Sequence, residues 1–391
     1  MKVTRRKALL SASAFVGASV LPLRVMEGRA AAQQVPAKTD IASEPVSLSD
    51  FEVMARQRIP HMAYEFVAGG AADEHTIRWN REALDKIRLR PRILIDVSKV
   101  DTRVSLFGQE MPFPILLAPT AYHRAIHPEG EVATAKGAGA VAATYVVSSA
   151  TTTPLEEIAR VATHPLWFQM YVQSDRGFTR DLVHLAEAAG CRALCITVDT
   201  PVLGACNRQQ RVKFELPPGV KTPYLFDVNT GRGAIMRPQR EIVTWKDIDW
   251  LRSFARVPVL LKGILNPDDA DQAVRAGASG IIVSNHGGRN LDTVPATADV
   301  LPQVADKVAG RVPILMDGGI RRGTDVLKAL ALGAKAVLIG RPYCYGLGVA
   351  GAEGVSRVVS ILRTEFEMAM ALTGRSSITS IDRSVLWPAS Q

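Results

Sequence analysis

A histidine, two aspartates, a lysine and several arginines recur in this 391-residue sequence, each just after a short apolar run. His286 lies in Ser284-Asn285-His286-Gly287-Gly288-Arg289. An imidazole there can act as a base near neutral pH. The guanidinium of Arg289, three residues on, can grip a carboxylate bidentately. Asp199 closes the run ALCITVDT (193–200) and is suited to orient that imidazole and stabilise its cation. Lys262 sits inside PVLLKG (258–263). An unpaired ammonium among apolar side chains is costly, so it needs an anionic partner, in a buried salt bridge or in a site. Asp317-Gly318-Gly319 and Ile339-Gly340-Arg341 end two further runs. Glycines let main-chain N–H groups approach an anion, and Arg321 and Arg341 supply charge, so these turns read as a phosphate cradle; tight turns alone are the alternative. Thr120, Ser148, Gln169 with Tyr171, and Thr197 complete the set of polar residues at run ends.

The elements that carry them form a repeat. Eight apolar or β-branched runs, 114–119, 143–149, 166–172, 193–200, 258–263, 280–288, 313–319 and 336–342, alternate with amphipathic stretches such as GFTRDLVHLAEAAG (177–190). Strand–helix alternation implies a parallel sheet, and eight units imply a closed (β/α)8 TIM barrel, an α/β fold. No G-x-G-x-x-G follows the first run, against an open dinucleotide-binding sheet. In such barrels the chemistry sits at the C-terminal strand ends, where these polar residues fall. One interval is long: 63 positions separate Asp199 from Lys262, and its Pro-, Gly- and Arg-rich part, 216–240, reads as an active-site lid after strand 4. Before the barrel, Ser49 or Asp50 is expected to cap a helix that buries Phe51, Met54 and Ala55. Scattered histidines without H-E-x-x-H or C-x-x-C spacing give no metal site, and no Gly-x-Ser-x-Gly elbow marks a serine hydrolase.

The net charge is +9. Such an excess raises nucleic acid as a partner, but five of the charges lie in residues 1–32, leaving +4 on 33–391. That segment has a basic start, a weakly apolar stretch from Ala8 to Leu23, and Ala30-x-Ala32 before Gln33. Thr4-Arg5-Arg6-Lys7-Ala8-Leu9 resembles a twin-arginine export signal, although Ala8 stands where such signals often have Phe. The expectation is therefore export to the periplasm or outside, with no nucleic acid partner and no integral membrane segment in the mature chain. Residues 33–47 read as a linker, 48–383 as the barrel domain and 384–391 as a C-terminal tail.

The sequence resembles the FMN-dependent 2-hydroxy acid oxidases and dehydrogenases, glycolate and lactate oxidase among them. The likeness runs from Leu48 to Arg383 and rests on RPRILIDV (90–97), APTA (118–121), HPEGE (127–131), FQMYV (168–172), TVDTP (197–201), LLKGI (260–264), SNHGGRNLD (284–292), MDGGIRRGTDVLKALALGA (316–334) and IGRP (339–342). It implies FMN as cofactor. Main chain at Pro119, Thr120 and Ala121 would lie against the flavin near its reactive nitrogen. Ser148, Gln169 and Thr197 would meet the pyrimidine edge, with Ser284 among the cofactor residues. Lys262 would stand beside N1 and the C2 carbonyl and stabilise the anionic reduced flavin. Asp317, Gly318, Gly319, Arg321, Gly340 and Arg341 would hold the ribityl phosphate. His286, backed by Asp199, would take a proton as two electrons leave the substrate's α-carbon. Tyr171 and Arg289 would hold the substrate. The acceptor would be oxygen, a quinone or a cytochrome, and family members often form homotetramers.

Three departures from the family pattern bear on the substrate. Phe66 stands where a substrate-binding tyrosine is typical. Cys206 stands seven residues after Asp199 where a second arginine is typical, with Arg208 two residues on as a shifted replacement. Ala150 replaces an aromatic residue, while Tyr122 is bulky where smaller residues are common. These imply an unusual α-hydroxy substrate, bulkier or less acidic than glycolate or lactate. The competing readings are a flavin-dependent isomerase and a non-catalytic flavin-binding barrel.

Overall fold

A computed structural model describes residues 45–173, 175–225 and 243–388. The expected export signal, most of the linker and residues 226–240 of the lid lie outside the described residues.

The barrel follows from a two-residue rhythm. Strands β3 (Ile115–Leu117), β4 (Tyr145–Ser148), β5 (Leu166–Met170), β6 (Leu194–Thr197), β7 (Val259–Ile264), β8 (Gly280–Val283), β9 (Ile314–Met316) and β10 (Ala336–Ile339) pair in parallel and close in the order β10-β3-β4-β5-β6-β7-β8-β9. Alternate residues of a strand face opposite sides. Ile115, Leu117, Tyr145, Val147, Phe168 and Ile196 pack outward against the helices. Leu116, Val146, Trp167, Cys195, Leu260, Ile282, Leu315 and Leu338 fill the interior. Two residues beyond that layer the same rhythm turns Ser148, Gln169, Thr197, Lys262, Ser284 and Asp317 inward. All six are buried, so the apolar plug becomes the floor of a polar chamber.

A short antiparallel hairpin, β1 (Val104–Leu106) with β2 (Gln109–Met111), was not apparent in the sequence. Its turn residues Phe107 and Gly108 both have positive φ, 53° and 74°, the pattern of a type I′ turn. The hairpin closes the N-terminal end of the barrel. Val104, Leu106 and Met111 join the interior layer, and the Phe107 ring lies 5.6 Å from that of Trp167.

Three helices precede the barrel. α1 (Leu48–Arg58) buries Leu48, Phe51, Met54 and Ala55, as its periodicity predicts. Its cap is Ser47 rather than Ser49 or Asp50: Ser47 has extended backbone, and Asp50 completes a capping box. α2 (His61–Ala68) ends at Gly69, and α3 (His75–Lys86) follows. Residues 385–387 are packed rather than part of a tail from 384: Val385 is fully buried, Leu386 bridges Leu89, and Trp387 N–H donates to Arg88 O. Among the described residues no helix is long and apolar enough to cross a membrane.

Candidate active site

His286 and Asp199 meet at the C-terminal mouth of the barrel. Nδ1 of His286 lies 3.0 Å from Oδ1 of Asp199. A carboxylate only accepts, so Nδ1 carries the proton and Nε2 is left as the basic nitrogen. The Asn290 amide donates to Asp199 O at 3.0 Å and Thr200 Oγ1 at 2.7 Å, tying the two loops together. His286 itself has φ 58°, a left-handed conformation that side chains rarely adopt and that its neighbours must impose. Burial alone would raise the Asp199 pKa. The cationic form of His286, its hydrogen bond, Lys262 and the Thr200 hydroxyl outweigh burial, and the carboxyl stays below its usual range. Its second oxygen, Oδ2, is buried with no partner.

Lys262 does have an anionic partner. Its Nζ lies 3.1 Å from Asp317 Oδ2 and 3.0 Å from Ser284 Oγ. Burial pulls the ammonium's pKa down, but Asp317 and Asp199 outweigh it, and the net shift is upward. The adjacent Gly263 has φ +112° where the β7–β8 register shifts, and a Cβ there would collide with Asp199. This bulge seats the Lys262 and Asp199 side chains around one point.

Along β4, β5 and β6 runs a polar ladder. Ser148 Oγ donates to Gln169 Oε1 at 2.8 Å, and Gln169 Nε2 donates to Thr197 Oγ1 at 2.8 Å. Thr197 pairs in register with Lys262. Tyr171, just beyond β5, is half-buried and close enough to Lys262 to influence its charge. Pro119, Thr120 and Ala121 form the loop after β3, and the Thr120 hydroxyl lies 2.6 Å from His123 Nε2 and beside Tyr343.

The arginines gather around the end of α2. Arg341 donates to Val67 O, Gly69 O and Gly287 O, and Arg289 Nη1 to Phe66 O, Val67 O and Gly69 O. The carbonyl end of a helix attracts cations, so these contacts are favourable. Arg321 donates to its neighbour's carbonyl, Ile320 O. Among the described residues none of the three pairs with a carboxylate. Burial, reinforced by Arg289 and Arg321, pushes Arg341 down to about 10, and burial lowers Arg321 as well. Such a cluster favours an incoming anion. Gly318 and Gly319 lie beside it at φ +98° and +82°, where a Cβ would collide with Thr297 and Asn80, and Gly340 N-caps the helical segment Arg341–Leu372, which is broken by a kink at Ala350 and Gly351.

The remaining pocket residues are placed differently. Phe66 stacks on Phe214, with centroids 4.5 Å apart, and lies 5.3 Å from the Tyr122 ring. The main-chain N–H of Tyr122 donates to Ala150 O. Arg208 Nε lies 2.5 Å from Glu65 Oε2, with Glu74 at 3.6 Å, so its guanidinium is committed to two carboxylates instead of replacing a charge at Cys206. Cys206 is half-buried, and its thiol faces Arg289 O at 3.7 Å. Cys191, Cys195 and Cys344 are buried, and burial raises their thiols, the first two to about 12.

Several supporting residues escaped the sequence reading. Asn80 of α3 exchanges two hydrogen bonds with Asn285 and accepts from Thr297 N. Its signal was a polar residue on the stripe 76, 80, 83, 84, all buried. Asp292 accepts from the amides of Asp73, His75 and Thr76 and so caps α3 from a distant loop. Glu131, the last residue of HPEGE, takes bonds from His123 N, Thr152 N and the Thr152 and Thr153 hydroxyls.

Residues 55–388 match the FMN-dependent dehydrogenase family. The chain belongs to that family. It is 45% identical over 359 residues to an L-lactate oxidase of Nostoc sp., covering 88% of this chain and 98% of that protein. It is 46% identical over 345 residues to a peroxisomal (S)-2-hydroxyacid oxidase of Arabidopsis thaliana, covering 86% and 95%. The crystal structure of a mandelate oxidase superposes with a TM-score of 0.83 at 40% identity, covering 88% of this chain and 98% of that one. The protein is thus an FMN-dependent oxidoreductase, and its donor set fits the family's cofactor. The ladder Ser148–Gln169–Thr197 offers donors and acceptors to an amide-like ring edge. Lys262 offers a buried positive charge, and the guanidinium cluster without carboxylates suits a phosphate.

Proposed function

We propose that this enzyme oxidises an L-2-hydroxy acid to its 2-oxo acid. The observation that carries the reading is the His286–Asp199 pair, with Arg289 and Lys262 around the same chamber. Bound FMN supplies a two-electron acceptor. Arg289 and Tyr171 hold the carboxylate and hydroxyl side of the substrate. The substrate gives up two electrons and the hydrogens of its α-carbon and hydroxyl: Nε2 of His286 accepts one of these as a proton, the other would leave with the electron pair to the bound cofactor or as a proton to solvent, and Asp199 stabilises the imidazolium that forms. The ammonium of Lys262 favours the negative charge that arises on reduction. Molecular oxygen is the acceptor best supported by the oxidase names of the relatives.

The substrate departs from the smallest of the class. Phe66 has no hydroxyl, Cys206 has no charge, and Arg208 is held by Glu65. The basic, twin-arginine-like start supports export to the periplasm with FMN already in place. The exposed apolar tip Ile93, Leu94 and Ile95, the first two 81% and 97% accessible, supports association into a homotetramer.

Anaerobic mixing with a panel of 2-hydroxy acids, followed by reoxidation with oxygen, tests the activity. Flavin bleaching by at least one panel member is expected, and His286→Ala abolishes it. A protein that holds FMN yet is bleached by none refutes the reading. Cell fractionation tests export, with Arg5→Lys/Arg6→Lys expected to retain the protein in the cytoplasm. Sedimentation of Leu94→Glu against the parent tests assembly.

A further inference from the structure

We propose that Phe66, Phe214 and Tyr122 form a substrate-selecting shelf, locked by Arg208, that favours 2-hydroxy acids with a flat, bulky apolar side chain. The inference rests on the 2-hydroxy acid reading above.

The three rings come from separate parts of the chain. Phe66 belongs to α2, Tyr122 follows the loop after β3, and Phe214 follows the short helix Asn207–Arg211. Phe66 and Phe214 are nearly parallel, 19° apart, and Tyr122 lies at 21° to Phe214 with centroids 6.1 Å apart. Phe66 and Phe214 are only half-buried, so apolar surface of these two rings remains to be covered. The shelf adjoins the chemistry: the guanidinium carbon of Arg289 lies 5.0 Å from the Phe66 ring centroid, and Arg289 is three residues from His286. A carboxylate held by Arg289 therefore leaves the substrate's side chain beside these rings.

The position of Phe214 depends on Arg208. The short helix carries Arg208 on its first turn and leads directly to Phe214, whose N–H donates to Gln209 O. Arg208 fastens that helix to Glu65, the residue next to Phe66, and to Glu74, which also accepts from Gly70 N. Asn207 adds a bond to Ala72 O. The pair is partly buried and bidirectional: hydrogen bonding to Arg208 is the main reason the Glu65 carboxyl stays below its usual range. Arg208 acts as a positioning residue, because it reaches the substrate only through the rings it brings together. The same ion pair withdraws its charge from the pocket, which among the described residues leaves Arg289 as the guanidinium at the shelf and shifts affinity toward side-chain burial.

The test uses the FMN-loaded enzyme. Binding of phenylacetate and acetate, neither of which can be oxidised at a hydroxyl, is followed by the flavin absorbance shift. Phenylacetate is expected to bind about 30-fold tighter, the scale of covering one aromatic ring. Flavin reduction should likewise favour 2-hydroxy-3-phenylpropanoate over lactate by at least tenfold in kcat/KM. Arg208→Ala should raise KM for the phenyl substrate about tenfold with little change in its limiting reduction rate, and Arg208→Lys should restore much of the affinity. Phe214→Ala provides a second variant should Arg208→Ala fold poorly, and should lower the phenylacetate preference to about threefold. Equal binding of the two acids, or a parent that prefers lactate, overturns the shelf while leaving the 2-hydroxy acid reading intact. Absence of reduction by every 2-hydroxy acid overturns that underlying reading instead.

Discussion

Replacing Asp199 by Asn separates charge from shape at the centre of the proposed mechanism. The amide is nearly isosteric and keeps an oxygen to accept from His286 Nδ1, which lies 3.0 Å from Oδ1. Its NH2 falls where Oδ2 now has no partner, so no existing hydrogen bond is broken. What disappears is the negative charge beside the imidazolium that forms when His286 accepts its proton. Two unit charges about 4 Å apart interact by ~4 kcal/mol at an effective dielectric of about 20. Lys262 already draws on the same carboxylate. A net loss of about 2–4 kcal/mol is therefore expected in the transition state, or roughly 30- to 1000-fold in rate. Anaerobic stopped-flow bleaching of the flavin measures that rate directly, and the flavin spectrum reports whether FMN remains bound. A reduction rate within about threefold of the parent, with FMN in place, would show that Asp199 orients the ring without stabilising its charge.

Three further outcomes follow from the geometry. Lys262→Met leaves Asp317 buried without its cation, which costs about 3–5 kcal/mol and should lower both thermal stability and FMN retention; unchanged melting and cofactor content would refute this. Gly263→Ala forces a side chain into the space of Asp199 at a φ of +112°, and should cut flavin reduction at least tenfold while the far-ultraviolet circular dichroism stays native. Asp292 is pushed up by burial, but main-chain N–H bonds from Thr76 and His75 outweigh this and bring it down to about 2 from its ordinary 3.8. A depressed carboxylate contributes stability above its unfolded pKa and loses it as pH falls through the folded one. Asp292→Asn should therefore be about 2 kcal/mol less stable than the parent at pH 7, with the gap closing as pH drops from about 4 to about 2 in urea titrations.

The barrel was legible because its signals are local. Six of the eight strands announce themselves as an apolar run with a polar residue two places beyond the interior plug, and the eight runs recur in order. The hairpin Val104–Met111 was not, since two three-residue strands carry too little periodicity to stand out. Asn80 and Asp292 show a second limit. Their partners are more than 200 positions away, and a buried polar side chain looks in sequence like any exposed one. Arg208 shows a third: proximity in sequence to Cys206 suggested a substitute charge, but Glu65, 143 positions earlier, captures it. Residue type and spacing thus located the candidate chemistry, whereas the partners that restrain it depend on the folded path of the chain.

The carbonyl end of α2 has a consequence for how the enzyme matures. Arg289 and Arg341 reach Phe66, Val67 and Gly69 across sequence separations of 220 to 274 residues. During synthesis the N-terminal helices leave the ribosome long before either arginine exists. The arginine cluster proposed to take the phosphate cannot be assembled until the last strand has emerged, since such distant contacts form late and slowly. Cofactor capture is therefore an end-of-chain event, and a nascent protein truncated before residue 341 should contain most of a barrel but no place to keep its flavin.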